Sequence, residues 1–239
     1  NLLGLDAGVV GNHEFDYGWR RVQEFARVAN FPLLSANVAE TKGEPLTGRS
    51  YAIKTVGGIR VAIVGVVLGD MVGTVVTADS VGPWRVLPVL ETVRKYVRKL
   101  RDQSDLIVVL GHIHDREEVD AILHQVPEVS VVVAGHTHVA YKSMMNVSDK
   151  DGIRVGVLVN SNGVDVGRLD LQVDMAAKNL KSAEWKKIPI DATYTEDPQI
   201  KRLVDGWEAK VAKMVDTPIG ESTMRLNTRN PLLREMIEK

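Results

Sequence analysis

The sequence predicts an α/β fold whose strands end in polar turns gathered along one edge of a sheet. Three observations carry that prediction. The segments Leu2 to Val10, Asp105 to Leu110 and Val129 to Ala134 read as strands, and each runs into a glycine followed closely by histidine. Stretches with apolar residues three and four apart lie between them and read as helices. Beyond Ile153 the helical spacing gives way to strand patterns. An open α/β sheet brings the turns that follow its parallel strands to one edge, where ligands bind.

Taken in order, Leu2 to Val10 forms the first strand and ends in Gly11-Asn12-His13-Glu14-Phe15-Asp16-Tyr17-Gly18. Tyr17 to Asn30 carries Trp19, Val22, Phe25, Ala26 and Ala29 on one face and should be an amphipathic helix, stopped by Pro32. Phe31 to Val38 reads as a short buried strand with Ser35 and Asn37 at its polar end, and residues 39–49 as a loop. Ser50 to Thr55 and Ile59 to Val67 flank Val56-Gly57-Gly58, a hairpin signal. The second of these strands is almost wholly apolar and therefore buried on both faces.

Residues 68–87 are of mixed composition and read as a long loop, either functional or a surface excursion. Pro88 to Gln103 is a helix with Val89, Val93, Val97 and Leu100 on one side and Pro88 in its first turn. The strand Asp105 to Leu110 ends in Gly111-His112-Ile113-His114-Asp115, the helix Glu117 to Gln125 follows, and the strand Val129 to Ala134 ends in Gly135-His136-Thr137-His138. Strands are then expected over Arg154 to Val159, Val166 to Val173 and Ala183 to Ile190. A long amphipathic helix follows over Glu196 to Val215, with Leu203, Trp207 and Val211 inward. Thr217 to Lys239 begins another strand and helix.

Composition narrows the function. Hydrophobic residues make up 44% of the 239 and charged ones 26%, which are ordinary globular values. A formal net charge of −1 gives no support to general nucleic-acid binding, which needs clustered cations. The one basic cluster, Arg94, Lys95, Arg98, Lys99 and Arg101, has helical spacing and reads as a solvated face. No apolar run reaches the length of a membrane span, and the absence of cysteine leaves the compartment unread.

Five of the six histidines fall in turns that follow strands; His124 alone sits within a helix. An imidazole at a strand end offers an uncharged nitrogen, and with amide or carboxylate oxygens it makes a mixed site suited to Zn, Mn, Fe or Co. Two such ions side by side would clamp a phosphoryl group and acidify water. Asp16, three residues after His13, can hydrogen-bond and orient that ring. His136 and His138 would point the same way on a regular strand, or serve two ions in a turn.

With these stretches in view, the chain resembles the calcineurin-like metallophosphoesterases, and within them the 5′-nucleotidase and UDP-sugar hydrolase group. The likeness rests on Gly11 to Gly18, the Ser35-Ala36-Asn37 strand end, Leu110-Gly111-His112 and Gly135-His136-Thr137-His138, with Val157 to Asp174 similar to the strand pair that closes the catalytic domain. The resemblance implies a four-layer sandwich of two mixed β-sheets flanked by helices, and two divalent metal ions, drawn from Zn, Mn, Co or Fe. By the same resemblance Asn12, His112 and His136 would bind one ion and His138 the other. His13 would stabilise the transition state or assist the leaving group, with Asp16 holding its tautomer.

The implied enzyme removes phosphate from nucleoside 5′-monophosphates or related nucleotides by attack of metal-bound hydroxide. A 2′,3′-cyclic nucleotide, a UDP-sugar or a sulfur ester is the alternative substrate, and a non-catalytic scaffold the alternative class. A nucleotide is thus the expected partner, with no nucleic acid and no membrane span, and family analogy puts the protein in the periplasm or outside the cell.

Two departures stand out. The family's Asp-x-His motif and bridging Asp precede Gly-Asn-His-Glu, so the stretch starting at Asn1 is expected to be an N-terminally truncated catalytic domain, short of three ligands and weak in metal binding and catalysis. Asp6 stands too close to Asn12 to replace the bridging residue. His114 occupies a position where a small residue is usual, and reads as an extra ligand, a substrate contact or a plain exposed turn residue. The expected organisation is a catalytic domain over 1–195, a linker helix over 196–216 and the start of a substrate-binding domain over 217–239.

Overall fold

The first strand of the protein is only two residues long. In the computed structural model, which describes residues 1–40, 43–114, 116–150 and 152–216, β1 spans Gly8–Val9. The run from Leu2 does not extend it: Leu2, Leu3 and Leu5 are 48%, 72% and 45% exposed. Apolar composition makes a strand only where a neighbouring edge presents hydrogen-bonding groups, and β2, Leu33–Leu34, pairs in parallel with Gly8 and Val9 alone. A single 3₁₀ turn over His13–Phe15 follows, with Phe15 fully buried, and then helix α1, Trp19–Val28, which buries Val22.

The strand expected over Phe31 to Val38 is divided into β2 and β3, Val38–Ala39. Between them the backbone bonds elsewhere: Ser35 N–H donates to Arg49 O and Ala36 N–H to Gly65 O. Asn37 is fully buried there as a clamp. Its Nδ2 donates to Val67 O at 2.6 Å and Leu87 O at 3.0 Å, and its Oδ1 accepts from Val67 N–H at 2.9 Å. It therefore serves the fold, as does Ser35, whose hydroxyl meets Thr47 Oγ1 at 3.0 Å.

The hairpin forms where the glycines ask for it. Gly57 and Gly58 have φ of 57° and 85°, as a two-residue primed turn requires, and they join β4, Tyr51–Val56, to β5, Ile59–Val67. The segment beyond β5 holds a short helix α2, Ala78–Val81, and β6, Arg85–Val86, which pairs with β3. Helix α3, Val89–Leu100, buries Val89, Val93, Val97 and Leu100 as its spacing predicts, and Lys95, Arg98 and Lys99 of the basic cluster are exposed. Then come β7, Leu106–Ile113, α4, Arg116–Gln125, and β8, Val131–His136.

Both of these strands run past the glycines read as their ends, so His112 and His136 are strand residues and not turn residues. Glycine ends a strand only when its neighbours lack partners, and here the ladder continues: His112 is opposite Gly135, and Ile113 opposite His136. Beyond them lie β9, Met145–Asp149, which sequence patterning did not anticipate, then β10, Gly152–Val157, β11, Asp165–Asp174, and β12, Asn179–Pro189.

The main sheet has eight strands in the order β11-β12-β10-β8-β7-β5-β4, with β9 also paired to β10; two further two-stranded sheets are β1-β2 and β3-β6. β5, β7, β8 and β10 are parallel, and antiparallel strands lie outside them. This is the mixed α/β fold of the sequence reading. The strand pair at its far end is β11 with β12, whereas β10 pairs with β8, β9 and β12. One core fills the space among α3, α4 and the parallel strands, and a second surrounds Val10, Phe15, Leu68 and Met71.

Contacts divide the chain into Asn1–Thr193 and Tyr194–Lys239. The described part of the second unit is helix α5, Pro198–Val215, started by Asp197, whose carboxylate accepts from the N–H groups of Gln199 and Ile200. Its apolar stripe is not inward: Leu203, Trp207 and Val211 are 52%, 59% and 50% exposed, and no residue of α5 is buried. The strand and helix expected over Thr217 to Lys239 lie outside the described residues.

Candidate metal centre

Three strand ends converge to make the site. Asn12 follows β1, His112 is the penultimate residue of β7, and His136 is the last of β8. Asn12 is buried, and its Oδ1 lies 2.6 Å from His112 Nε2; that same nitrogen lies 3.2 Å from His136 Nδ1. Gly11 permits the approach, since a Cβ there would sit 2.9 Å from His112 Nδ1 and 3.0 Å from Glu14 Oε2. Glu14, unremarked in the sequence, accepts the Gly11 N–H at 2.7 Å and so ties the turn that presents Asn12.

An amide oxygen and two imidazole nitrogens facing one another form the mixed donor set that fits a borderline divalent ion. Such ligands must be uncharged to bind. Burial, with the neighbouring His136, His13 and His138, lowers the His112 pKa to about 4, and burial also lowers that of His136. Both rings are thus neutral near pH 7. Among the described residues no three His, Asp or Glu side chains form a metal-holding group.

His13 and Asp16 form the second part of the site. The 3₁₀ turn has three residues per turn, which puts residues i and i+3 in line, and His13 Nδ1 meets Asp16 Oδ2 at 3.0 Å. The pair is open to solvent, with side chains 75% and 53% exposed. His13 acts electrostatically on both His112 and His136, so the pair stands beside the trio. His138 acts on the same two rings from an exposed position with φ of 61°.

His114 is more than a plain turn residue. Its Nε2 lies 3.0 Å from Asp70 Oδ1, its N–H donates to Glu118 Oε2 at 2.8 Å, and its ring packs on His136 at 5.8 Å between centroids. Asp70 carried no sequence signal of its own, because its partner lies 44 residues away. Asp6 is ion-paired to Lys54, and His124 turns back onto its own helix.

Known proteins resemble this chain over most of its length. Residues 5–140 match the family model described as calcineurin-like phosphoesterase, a span that includes Asn12, His13, Asp16, His112, His136 and His138. A 5′-nucleotidase of Rattus norvegicus is 30% identical over 95% of this chain and 42% of its own length. An apyrase of Tabanus yao is 26% identical over 96% of the chain and 44% of its own. Among solved structures, a 5′-nucleotidase precursor from Thermus thermophilus superposes with a TM-score of 0.78 at 26% identity, covering 92% of this chain and 46% of that one. The chain spans less than half the length of these relatives. Members of the matched family use divalent metals. The chain belongs to the calcineurin-like phosphoesterase family.

Proposed function

We propose that this protein is a dinuclear-metal phosphohydrolase that removes phosphate from nucleoside 5′-monophosphates or related nucleotides. The observation that carries the reading is the meeting of Asn12, His112 and His136 within hydrogen-bond distance, with the His13–Asp16 pair beside them. Asn12, His112 and His136 would hold one ion and His138 would bind the other. Such ions, of the Zn, Mn, Co or Fe type, supply Lewis acidity that offsets phosphoryl charge and lowers the pKa of water.

The chain's own groups do the rest. Asp16 accepts the Nδ1 proton of His13, which fixes the tautomer and leaves Nε2 as the nitrogen for the phosphoryl group or the departing oxygen. The solvent exposure of His13 suits a group that must reach a bound ester. Relatives that carry the names 5′-nucleotidase and apyrase support a nucleotide as that ester. A relative from Gloydius brevicauda is named a snake venom 5′-nucleotidase, which supports a secreted location.

The test is phosphate release by the complete protein, with the expected ligands ahead of Asn1 present, in Mn²⁺ or Co²⁺ from adenosine 5′-monophosphate, UDP-glucose and 2′,3′-cyclic AMP side by side. The monophosphate is expected to give the highest kcat/KM. Release from none of them, in a protein that binds the metal, would sink the proposal in favour of a scaffold.

A further inference from the structure

His114 and Asp70 belong neither to the metal-holding trio nor to the His13–Asp16 pair. His136, which His114 touches, is a residue that needs holding. Its φ of 109° is a conformation that a non-glycine residue adopts only when its surroundings over-determine it. Two rings bracket its imidazole: His112 at 5.0 Å with an interplanar angle of 64°, and His114 at 5.8 Å and 81°. The side chains thus form one chain of contacts, Asn12, His112, His136, His114, Asp70. Its inner end is fixed by buried Asn12 at 2.6 Å from His112, and its outer end by Asp70 at 3.0 Å from His114 Nε2. The Glu118 carboxylate bonded to the His114 N–H steadies the backbone of the fourth member.

The geometry points to His114 as a positioning residue, oriented by Asp70, that fixes the ring of His136 in the direction from which it meets His112. The inference rests on the reading of Asn12, His112 and His136 as metal-holding. A carboxylate that accepts a ring N–H removes the freedom of that ring to flip; partners bonded directly to a ligating imidazole change metal affinity about 10- to 100-fold when removed, and His114, which acts on His136 through ring packing, belongs at the low end of that range. The pair itself is exposed, with side chains 49% and 63% accessible, so its loss should not unfold the protein.

The experiment is Co²⁺ titrated into the full chain, followed by visible absorption, together with long-range ¹H–¹⁵N spectra of the imidazoles without metal. His114→Ala and Asp70→Ala should each weaken Co²⁺ binding about tenfold and shift the His136 ring signals. Asp70→Asn, which keeps an acceptor for the His114 ring N–H, should restore most of both. The double variant should be no weaker than the weaker single, as for members of one chain of contacts. The melting temperature should hold throughout.

His112→Ala separates the two levels of argument. If it leaves Co²⁺ binding intact, the metal reading fails while the metal-free spectra still judge the positioning. If it abolishes binding while His114→Ala leaves both the affinity and the His136 signals unmoved, the inference is overturned.

Discussion

His112 Nε2 lies 2.6 Å from Asn12 Oδ1, across a hundred residues of sequence. The contact joins the turn after β1 to the end of β7 and places a half-buried imidazole in a setting that disfavours its charge. Its pKa in the fold is about 4 against an ordinary 6.5, so as pH falls below 6.5 the unfolded chain takes up a proton that the folded one refuses. Stability should therefore decline between pH 6.5 and about 4 in the presence of EDTA. After allowance for partial exposure the His112 share is about 2 kcal/mol. Urea unfolding across that range should show the slope, and His112→Gln should flatten it.

If His13 acts on the phosphoryl group and not on the ions, as proposed, His13→Ala should lower nucleotide turnover by roughly 10²- to 10⁴-fold with metal binding retained. Asp16→Asn should produce a smaller loss, seen mainly in kcat. Steady-state kinetics with metal analysis of each variant checks both, and unchanged turnover in His13→Ala would remove that residue from the reaction.

At the start of β7, Asp105 receives Arg60 through its backbone N–H at 2.8 Å and its guanidinium at 2.9 and 3.2 Å, and Lys178 Nζ at 2.8 Å. Hydrogen bonds from Arg60 first, and then Lys178, hold its carboxyl well below the usual range. A depressed carboxylate contributes stability that is present above its unfolded value near 4 and lost as pH falls toward the folded one. Asp105→Asn should lower the melting temperature at pH 7 and narrow the difference from the parent below pH 4. Thermal melts at pH 7, 4 and 3 provide the test.

Replacing Asn37 by Ala strands Val67 N–H and two carbonyls in the interior, at a cost of about 3 kcal/mol. Asn37→Asp should cost more at neutral pH, because a carboxylate cannot donate to Val67 O and Leu87 O and is itself buried. Chemical denaturation of the two variants should rank them in that order.

The legible parts of the fold were those where pattern and local geometry agree. β5 has the predicted bounds because a continuous apolar run follows a glycine pair that readily takes the positive φ of a primed turn, and α3 shows the buried face its valines mark. The site histidines were legible because their spacing after apolar strands is unusual, and the structure gathers His13, His112, His136 and His138 as neighbours. What escaped depended on contacts distant in sequence. Leu2 to Leu5 look like strand and lack an edge to pair with. β9 is a polar strand that exists because β10 offers it hydrogen bonds. Asp70 acquires meaning only where His114 meets it, and Glu14 only where the Gly11 N–H turns toward it.

The backbone at position 136 would suit glycine better than histidine, since glycine alone occupies a φ of 109° without steric penalty. Stability and the proposed chemistry therefore pull in opposite directions at this residue. A library of variants screened for heat resistance alone should enrich His136→Gly and produce tougher proteins that lack the imidazole assigned to the proposed metal centre. A screen for phosphate release should discard the same change, and the gap between the two selections would measure how far folding and function compete at the end of β8.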